Sequence, residues 1–237
     1  CTNLAPAIAA ANSSFPRIFN CALNENSTVN TNNSHTGAIH FDNTSGPQDS
    51  IVRNCLFYGN KPYAIYNAGS AFIEVNSSIL YNNNNDPNAD AESQLFASDP
   101  ELFQLNYCDI SGKPWTGDGT DNITVNPGFS STTYTDENGE SQTTLHDYKL
   151  GSGQECLNLG DTNFDPGDNV FDLDGNKRKN FCRVDIGPWE YPALTNLLNA
   201  IPALVLYNSN SYCTIQEAID IATDPGSTGI GITVTKG

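Results

Sequence analysis

The chain has 237 residues, 10 Lys plus Arg against 27 Asp plus Glu, and a formal net charge of −17, so it lacks the clustered cations that hold nucleic-acid phosphates or an anionic lipid surface. Methionine is absent, hydrophobic residues make up 38%, and Asn, Ser, Thr and Gly are abundant. That mixture disfavours a helical protein, because Asn, Ser and Gly compete with or loosen the helical backbone while short strands and turns accept them.

In chain order, the first 112 residues read as a repeat. Three segments align: Ala7 to Asn26, Ala38 to Asn60 and Ala64 to Asn83. Each opens on Ala-Ile, passes a polar turn, enters a short apolar stretch and reaches an asparagine, at Asn20, Asn54 or Asn76. An apolar anchor follows three residues later (Leu23, Phe57, Ile79), and a second asparagine closes the unit (Asn26, Asn60, Asn82). Strand-sized stretches separated by Gly, Asn, Ser and Pro cannot bury their own side chains, but stacked copies can, each strand pairing in parallel with its counterpart one coil away. The expected fold class is therefore all-β, a parallel β-helix solenoid, with Asn20, Asn54 and Asn76 as a structural amide ladder. Arg17 and Arg53 fall at one repeat-equivalent position in this alignment, whereas Glu74 breaks the phase by falling where Ile18 and Val52 sit.

Residues 113–192 read as a loop-rich closing segment, 193–211 as a connector, and 212–237 as the start of something new. Ile215, Ala218, Ile219 and Ala222 have helical spacing behind Thr214 as N-cap with Glu217 three residues on, and a β-rich stretch begins at Ile230. The alternative is a terminal helix and strand that pack back on the preceding domain. The chain begins without Met, in the middle of a repeat, and is expected to be a mature or partial chain.

IVRNCLFYGN and VNSSILYNN resemble the coils of bacterial right-handed parallel β-helix repeat surface proteins, the secreted families with polymorphic-outer-membrane-type repeats or variable C-terminal anchors. Leu105 to Phe129 resembles the last coil and exit loop of such modules, Asp147 to Asp161 the segment after it, and DLDGNKRKNFCRVDIGPWEY, Asp172 to Tyr191, the closing motif. The stretch from Tyr212 to Gly237 is similar to the cap helix and first strand of a following β-helix. The resemblance implies tandem modules in a larger extracellular or cell-surface protein, with other modules of the same chain as partners and a polysaccharide or cell-surface glycan as a further one.

Candidate chemistry is sparse. Asp161, Asp165, Asp168, Asp172 and Asp174 lie in one acidic loop, and Asp172-Leu173-Asp174-Gly175-Asn176 presents several oxygens in the way calcium requires. The loop lacks the spacing and the distal Glu of an EF-hand, so a structural turn is the competing reading, and no other cofactor is expected. Seven cysteines show no C-x-x-C pair, which argues against zinc; in an exported protein Cys156 and Cys182 could bridge the loop-rich region, with buried free thiols as the competing reading, and the odd count leaves at least one thiol unpaired within the chain. Phe57, Tyr58, Tyr63, Tyr66 and Tyr81 form either a sugar-stacking platform or interior packing, and Trp115 and Trp189 read as packing anchors. Asn12, Asn26, Asn32, Asn43, Asn76 and Asn122 stand in Asn-x-Ser/Thr sequons.

No catalytic residue is assigned. The expected function is a non-catalytic structural or adhesive module; the alternative is a carbohydrate-binding or polysaccharide-degrading β-helix, which would need convergent carboxylates and a base in one groove.

Overall fold

The computed structural model describes residues 6–11, 14–27, 37–42, 49–83, 94–112, 114–135, 141–151, 155–164, 171–178, 183–191, 205–207, 210–212 and 233–234. Strands recur in threes. Coil one holds β1 (Ile8–Ala11), β2 (Arg17–Phe19) and β3 (Ala22–Asn24); coil two holds β4 (Gly37–Asp42), β5 (Ser50–Arg53) and β6 (Leu56–Tyr58). Coil three holds β7 (Tyr63–Asn67), β8 (Ile73–Asn76) and β9 (Ile79–Tyr81); coil four holds β10 (Leu95–Ala97), β11 (Phe103–Asn106) and β12 (Asp109–Ile110). Each strand pairs in parallel with its counterpart, giving a first sheet β1-β4-β7-β10, a second β2-β5-β8-β11 and a third β3-β6-β9-β12. The all-β, parallel, solenoid-like architecture expected from the repeat is therefore present.

The core follows from the register. Ile8, Ile39, Ile65 and Leu95 stack in the first sheet. Ile18, Val52, Val75 and Leu105 stack in the second, and Leu23, Phe57, Leu80 and Ile110 in the third. All twelve belong to one apolar cluster, with Ile8 at its margin. A strand of three or four residues points one or two side chains inward, so no coil is self-sufficient, and each buried aliphatic contributes roughly 1.5–3 kcal/mol only when its neighbours in the stack are present.

Between the second and third sheets each coil turns on one left-handed residue: Asn20 (φ 50°), Asn54 (51°), Ser77 (47°) and Tyr107 (53°). Asparagine tolerates this region best, which explains its recurrence. Register then corrects the sequence alignment of coil three by one residue. Asn76 lies beside Arg53, so Ser77 stacks on Asn54; Val75 pairs with Val52 and Glu74 with Ile51, which removes the phase conflict at Glu74. Likewise Leu80, not Ile79, meets Phe57. Arg17 pairs with Ile51 and Arg53 with Phe19, so the two arginines are two positions apart.

An amide ladder exists, but not at Asn20, Asn54 and Asn76. It forms past the third strand of each coil. Asn26 donates from N and Nδ2 to Asn60 Oδ1 (3.0 and 2.9 Å), and Asn60 does the same to Asn83 Oδ1 (3.0 and 2.8 Å). Asn83 continues it to Gln94 Oε1 (3.0 and 2.8 Å). The Nδ2 groups of Asn60 and Asn83 also donate to Leu23 O (2.7 Å) and Phe57 O (3.1 Å), tying the ladder to the interior strands.

Past coil four the chain runs alongside it again, with parallel bridges Gln104–Asp118 and Asp109–Ile123. An antiparallel hairpin follows, β13 (Phe129–Thr135) and β14 (Ser141–Leu150), and then the closing loops up to Tyr191. Separately, β15 (Val205–Tyr207) pairs antiparallel with β16 (Asn210–Tyr212) and with β17 (Thr233–Val234). The cap helix expected from Thr214 to Ala222 lies outside the described residues. Among the described residues no helix is long and apolar enough to cross a membrane.

Candidate functional site

Function on a solenoid lives on its outer faces, so the first question is which of them the chain itself covers. The third sheet is covered. Its outward column Ala22, Leu56, Ile79 and Asp109 packs in part under Leu150, Cys156 and Ile186 of the closing segment. Beside it Tyr58 and Tyr81 stack at 6.3 Å (11°), and Phe129 meets both edge-on at 5.6 and 6.3 Å. Tyr148 lies 4.8 Å from Tyr58 and donates its hydroxyl to Glu25 Oε1 at 2.9 Å, and burial first, then that bond, pushes it up to about 12. Asp109 is fully buried; its Oδ1 accepts Val125 N (3.0 Å) and its Oδ2 accepts the Cys156 thiol (3.3 Å). Burial raises its carboxyl to about 7 and drives the Cys156 thiol far above the usual thiol range, so Cys156 is no nucleophile.

The corner between the second and third sheets is covered as well. Arg178, with no exposed surface, reaches Asn20 Oδ1 through Nε (2.9 Å) and Nη2, Gly187 O through Nη1 (2.9 Å), and Glu190 Oε1 at 2.9 Å. Glu190 in turn accepts Asp185 N, and Asp185 accepts Asn158 N (2.7 Å) and Tyr191 N (2.6 Å). Burial, then the Asp185 charge, pushes Glu190 upward against the pull of Arg178, and burial raises Asp185 to about 6. Paired and hydrogen-bonded in this way, these buried groups lock the closing loop onto the corner.

The ladder expected at this corner does not form, and each member shows why. Asn20 is engaged by Arg178 and donates to Phe171 O. Asn54 is fully buried with neither side-chain polar atom bonded, and Asn76 bonds Ser77 and Asp161. The acidic loop separates in the same way. Asp165 and Asp168 lie outside the described residues. Asp172 is buried and saturated: Oδ1 accepts Asp174 N (2.9 Å) and Asn176 N (2.7 Å), while Oδ2 accepts Asn176 Nδ2 (3.2 Å) and Glu190 N (2.9 Å). Asp174 pairs with Lys149 at 2.6 Å, and Asp161 caps its own turn at Asn163 N (2.8 Å). Asp172 and Asp174 therefore build the turn, and among the described residues no three acidic, His or Cys groups gather around one point. Cys156 carries a free thiol, and Cys182, its expected bridging partner, lies outside the described residues.

Two outer faces lack such a cover among the described residues. On the first sheet His40, Tyr66 and Phe96 form one outward column. Tyr66 and Phe96 stack at 4.6 Å and 6°, His40 meets Tyr66 edge-on at 5.0 Å, and Tyr63 leans on both Tyr66 (5.9 Å) and Phe96 (5.5 Å). These rings use their faces on one another, and Tyr66 is only 5% exposed, so the column is an inter-coil cement and not a flat sugar platform. Burial holds the His40 imidazole below its ordinary value, against the pull of Asp42. On the second sheet Arg53 pairs with Glu74 (3.3 Å), and Arg17 lies over the Phe19 ring (5.6 Å).

No family model, curated protein or solved structure matches the chain. The described residues also line a groove that the sequence reading passed over. An open depression of about 410 Å³ at the end of the stack is lined by Asp99, Glu101, Trp115 and Asp118 with Pro100, Thr116 and Gly117. Asp99 caps the single turn Pro100–Leu102 by accepting Glu101 N (3.0 Å). Trp115 donates Nε1 to Asp118 O (2.9 Å) and folds over Gly117, where a Cβ would come within 2.5 Å of the indole. Gly119, at φ 125°, brings the loop so close to Leu105 O that a Cβ would stand 1.7 Å from it. A half-exposed indole beside three carboxylates offers an apolar face and hydrogen-bond acceptors but no positive charge among the described lining residues. Only Trp115 was visible beforehand, as a packing anchor; the acids converge from two segments whose adjacency is a product of the coil.

Proposed function

We propose that this chain is a non-catalytic structural or adhesive module of a large extracellular or cell-surface protein, a right-handed parallel β-helix stacked with further modules of the same parent. The carrying observation is the Asn26–Asn60–Asn83–Gln94 ladder, which joins all four coils. With the His40–Tyr66–Phe96 column it commits side chains on two sides of the stack to cohesion between coils, as a spacer requires. Right-handedness follows from the strong preference of parallel crossover connections. The acidic, lysine-poor composition supports an extracellular setting and a soluble surface.

One observation favours a second reading, saccharide binding in the Trp115 groove. Sugar hydroxyls donate to carboxylates and sugar C–H faces pack on indole, so a neutral glycan fits, whereas a uronate meets Asp99, Glu101 and Asp118 as like charge. The deciding experiment incubates the folded chain with neutral and acidic polysaccharides, with and without calcium, and scores binding and product release together. The structural reading expects neither. Binding of neutral glycans that Trp115→Ala abolishes moves the assignment to adhesion through the groove, and new reducing ends or unsaturated products overturn the non-catalytic reading.

A further inference from the structure

Cys21 and Cys55 occupy the same place in consecutive coils, the residue directly after the left-handed corner. Their neighbours fix the register on both sides: Phe19 pairs with Arg53 and Ala22 with Leu56. The backbone bonds Asn20 N to Arg53 O (3.2 Å) and Leu56 N to Cys21 O (2.8 Å) flank the pair. Adjacent strands of a sheet lie about 4.8 Å apart, inside the roughly 4.4–6.8 Å between Cα atoms that a disulfide spans.

The side chains are aligned too. Cys21 Sγ contacts Phe19 O (3.2 Å) and Cys55 Sγ contacts Arg53 O (3.3 Å), each thiol bonding the carbonyl two residues back, so both point the same way. Both are free. The same column continues as Ser78 and Cys108, so Cys108 has a serine beside it and lies two coils from Cys55. Cys156 sits outside the stack, bonded to Asp109.

We propose that Cys21 and Cys55 form an inter-coil disulfide that clips coil one to coil two when the protein meets a small disulfide oxidant. Cys21 is the partly exposed member and Cys55 is fully buried, so Cys21 reacts first; the neighbouring Cys55 thiol also lowers the Cys21 value to about 7, with burial opposing. Its thiolate attacks one sulfur of the oxidant, the oxidant's S–S bond breaks, and one small thiol leaves. Cys55 then loses its proton and attacks the Cys21 sulfur of the mixed disulfide, and a second small thiol leaves. Two protein thiols are oxidised to one disulfide while one small disulfide is reduced to two thiols. The loop so closed contains β3, β4 and β5, so the link restrains the coil at the end of the described stack.

The test uses the full chain, reduced, then exposed to oxidised glutathione, alkylated and cleaved after aromatic residues, which separates Cys55 from Cys108. One peptide pair joining Cys21 to Cys55 is expected, with Cys108 and Cys156 alkylated only after unfolding. Cys21→Ser and Cys55→Ser should each abolish the pair, and Cys21→Ser, at a partly exposed position, leaves the fold intact by circular dichroism. On oxidation the amides of residues 18–24 should exchange at least about tenfold more slowly. Full alkylation of both thiols after oxidation, or Cys21 linked to any other cysteine, overturns the proposal.

Discussion

Two columns of asparagines run through this stack, and they behave oppositely. Asn26, Asn60 and Asn83 share their amides with one another and with interior carbonyls. Asn20 and Asn54 stand at a corner chosen for its backbone, where Ser77 and Tyr107 serve as well. There Asn20 is held by Arg178 from the closing segment, and Asn54 bonds nothing through its side chain. The same residue type is thus used once for its amide and once for its tolerance of positive φ. A repeat of asparagines in sequence does not say which.

The comparison can be broken at four points. Arg178→Ala should cost most, about 4 kcal/mol in denaturant unfolding, because it leaves buried Glu190 without its cationic partner and removes two of the bonds made to Asn20. If the loss is under about 1 kcal/mol, the corner is held by backbone alone.

Asp109 ends an apolar column as its one polar member, and pH reads its effect. Its folded value of about 7 stands above its ordinary 3.8, so the folded chain keeps a proton that the unfolded chain has released. The stabilisation from this group is complete below about pH 4 and is lost as pH rises through 7, a total of about 4 kcal/mol at 1.36 kcal/mol per unit. Asp109→Asn keeps the acceptor for Val125 N and should remove this part of the decline, leaving the parts that Asp185, raised to about 6, and Glu190, raised to about 9, contribute.

Asn60→Ala should cost about 3 kcal/mol, since Asn26 N, Leu23 O and Asn83 Oδ1 all lose a partner in a dry interior. The smallest effect belongs to Asn54→Gly, within about 1 kcal/mol, because glycine accepts the φ of 51° and no side-chain bond is lost. Equal losses at positions 54 and 60 would erase the distinction between the columns.

Much of the fold was legible in the repeat. Ala-Ile at the head of each unit is correct, since Ile8, Ile39 and Ile65 are in register. So are Asn20 with Asn54, and Asn26 with Asn60. Coil three slipped by one because Val75-Asn76-Ser77-Ser78 offers an asparagine one residue before the corner, and a side-chain match outweighed the apolar phase that Val75 demanded. The ladder's last rung was hidden because Gln94 comes from the approach to coil four and is a different residue type. Arg178 with Glu190, and the acids around Trp115, were illegible because sequence carries no sign of which loops share a corner. At Asp172 the sequence left a calcium ligand and a turn former side by side, because a carboxylate that collects backbone amides has the same sequence signature as one that collects a cation.

The ladder also sets how the stack responds to tension. Its bonds, like those of the three sheets, run along the stacking direction, and beside them the closing segment ties Asn20 of coil one to Ser77 of coil three through Arg178 and Gly187. Each interface carries nearly the same set of bonds, with the longer Gln94 arm at the last. A pull on the two ends should therefore release coils stepwise once the closing segment has let go, which single-molecule extension would read as successive steps.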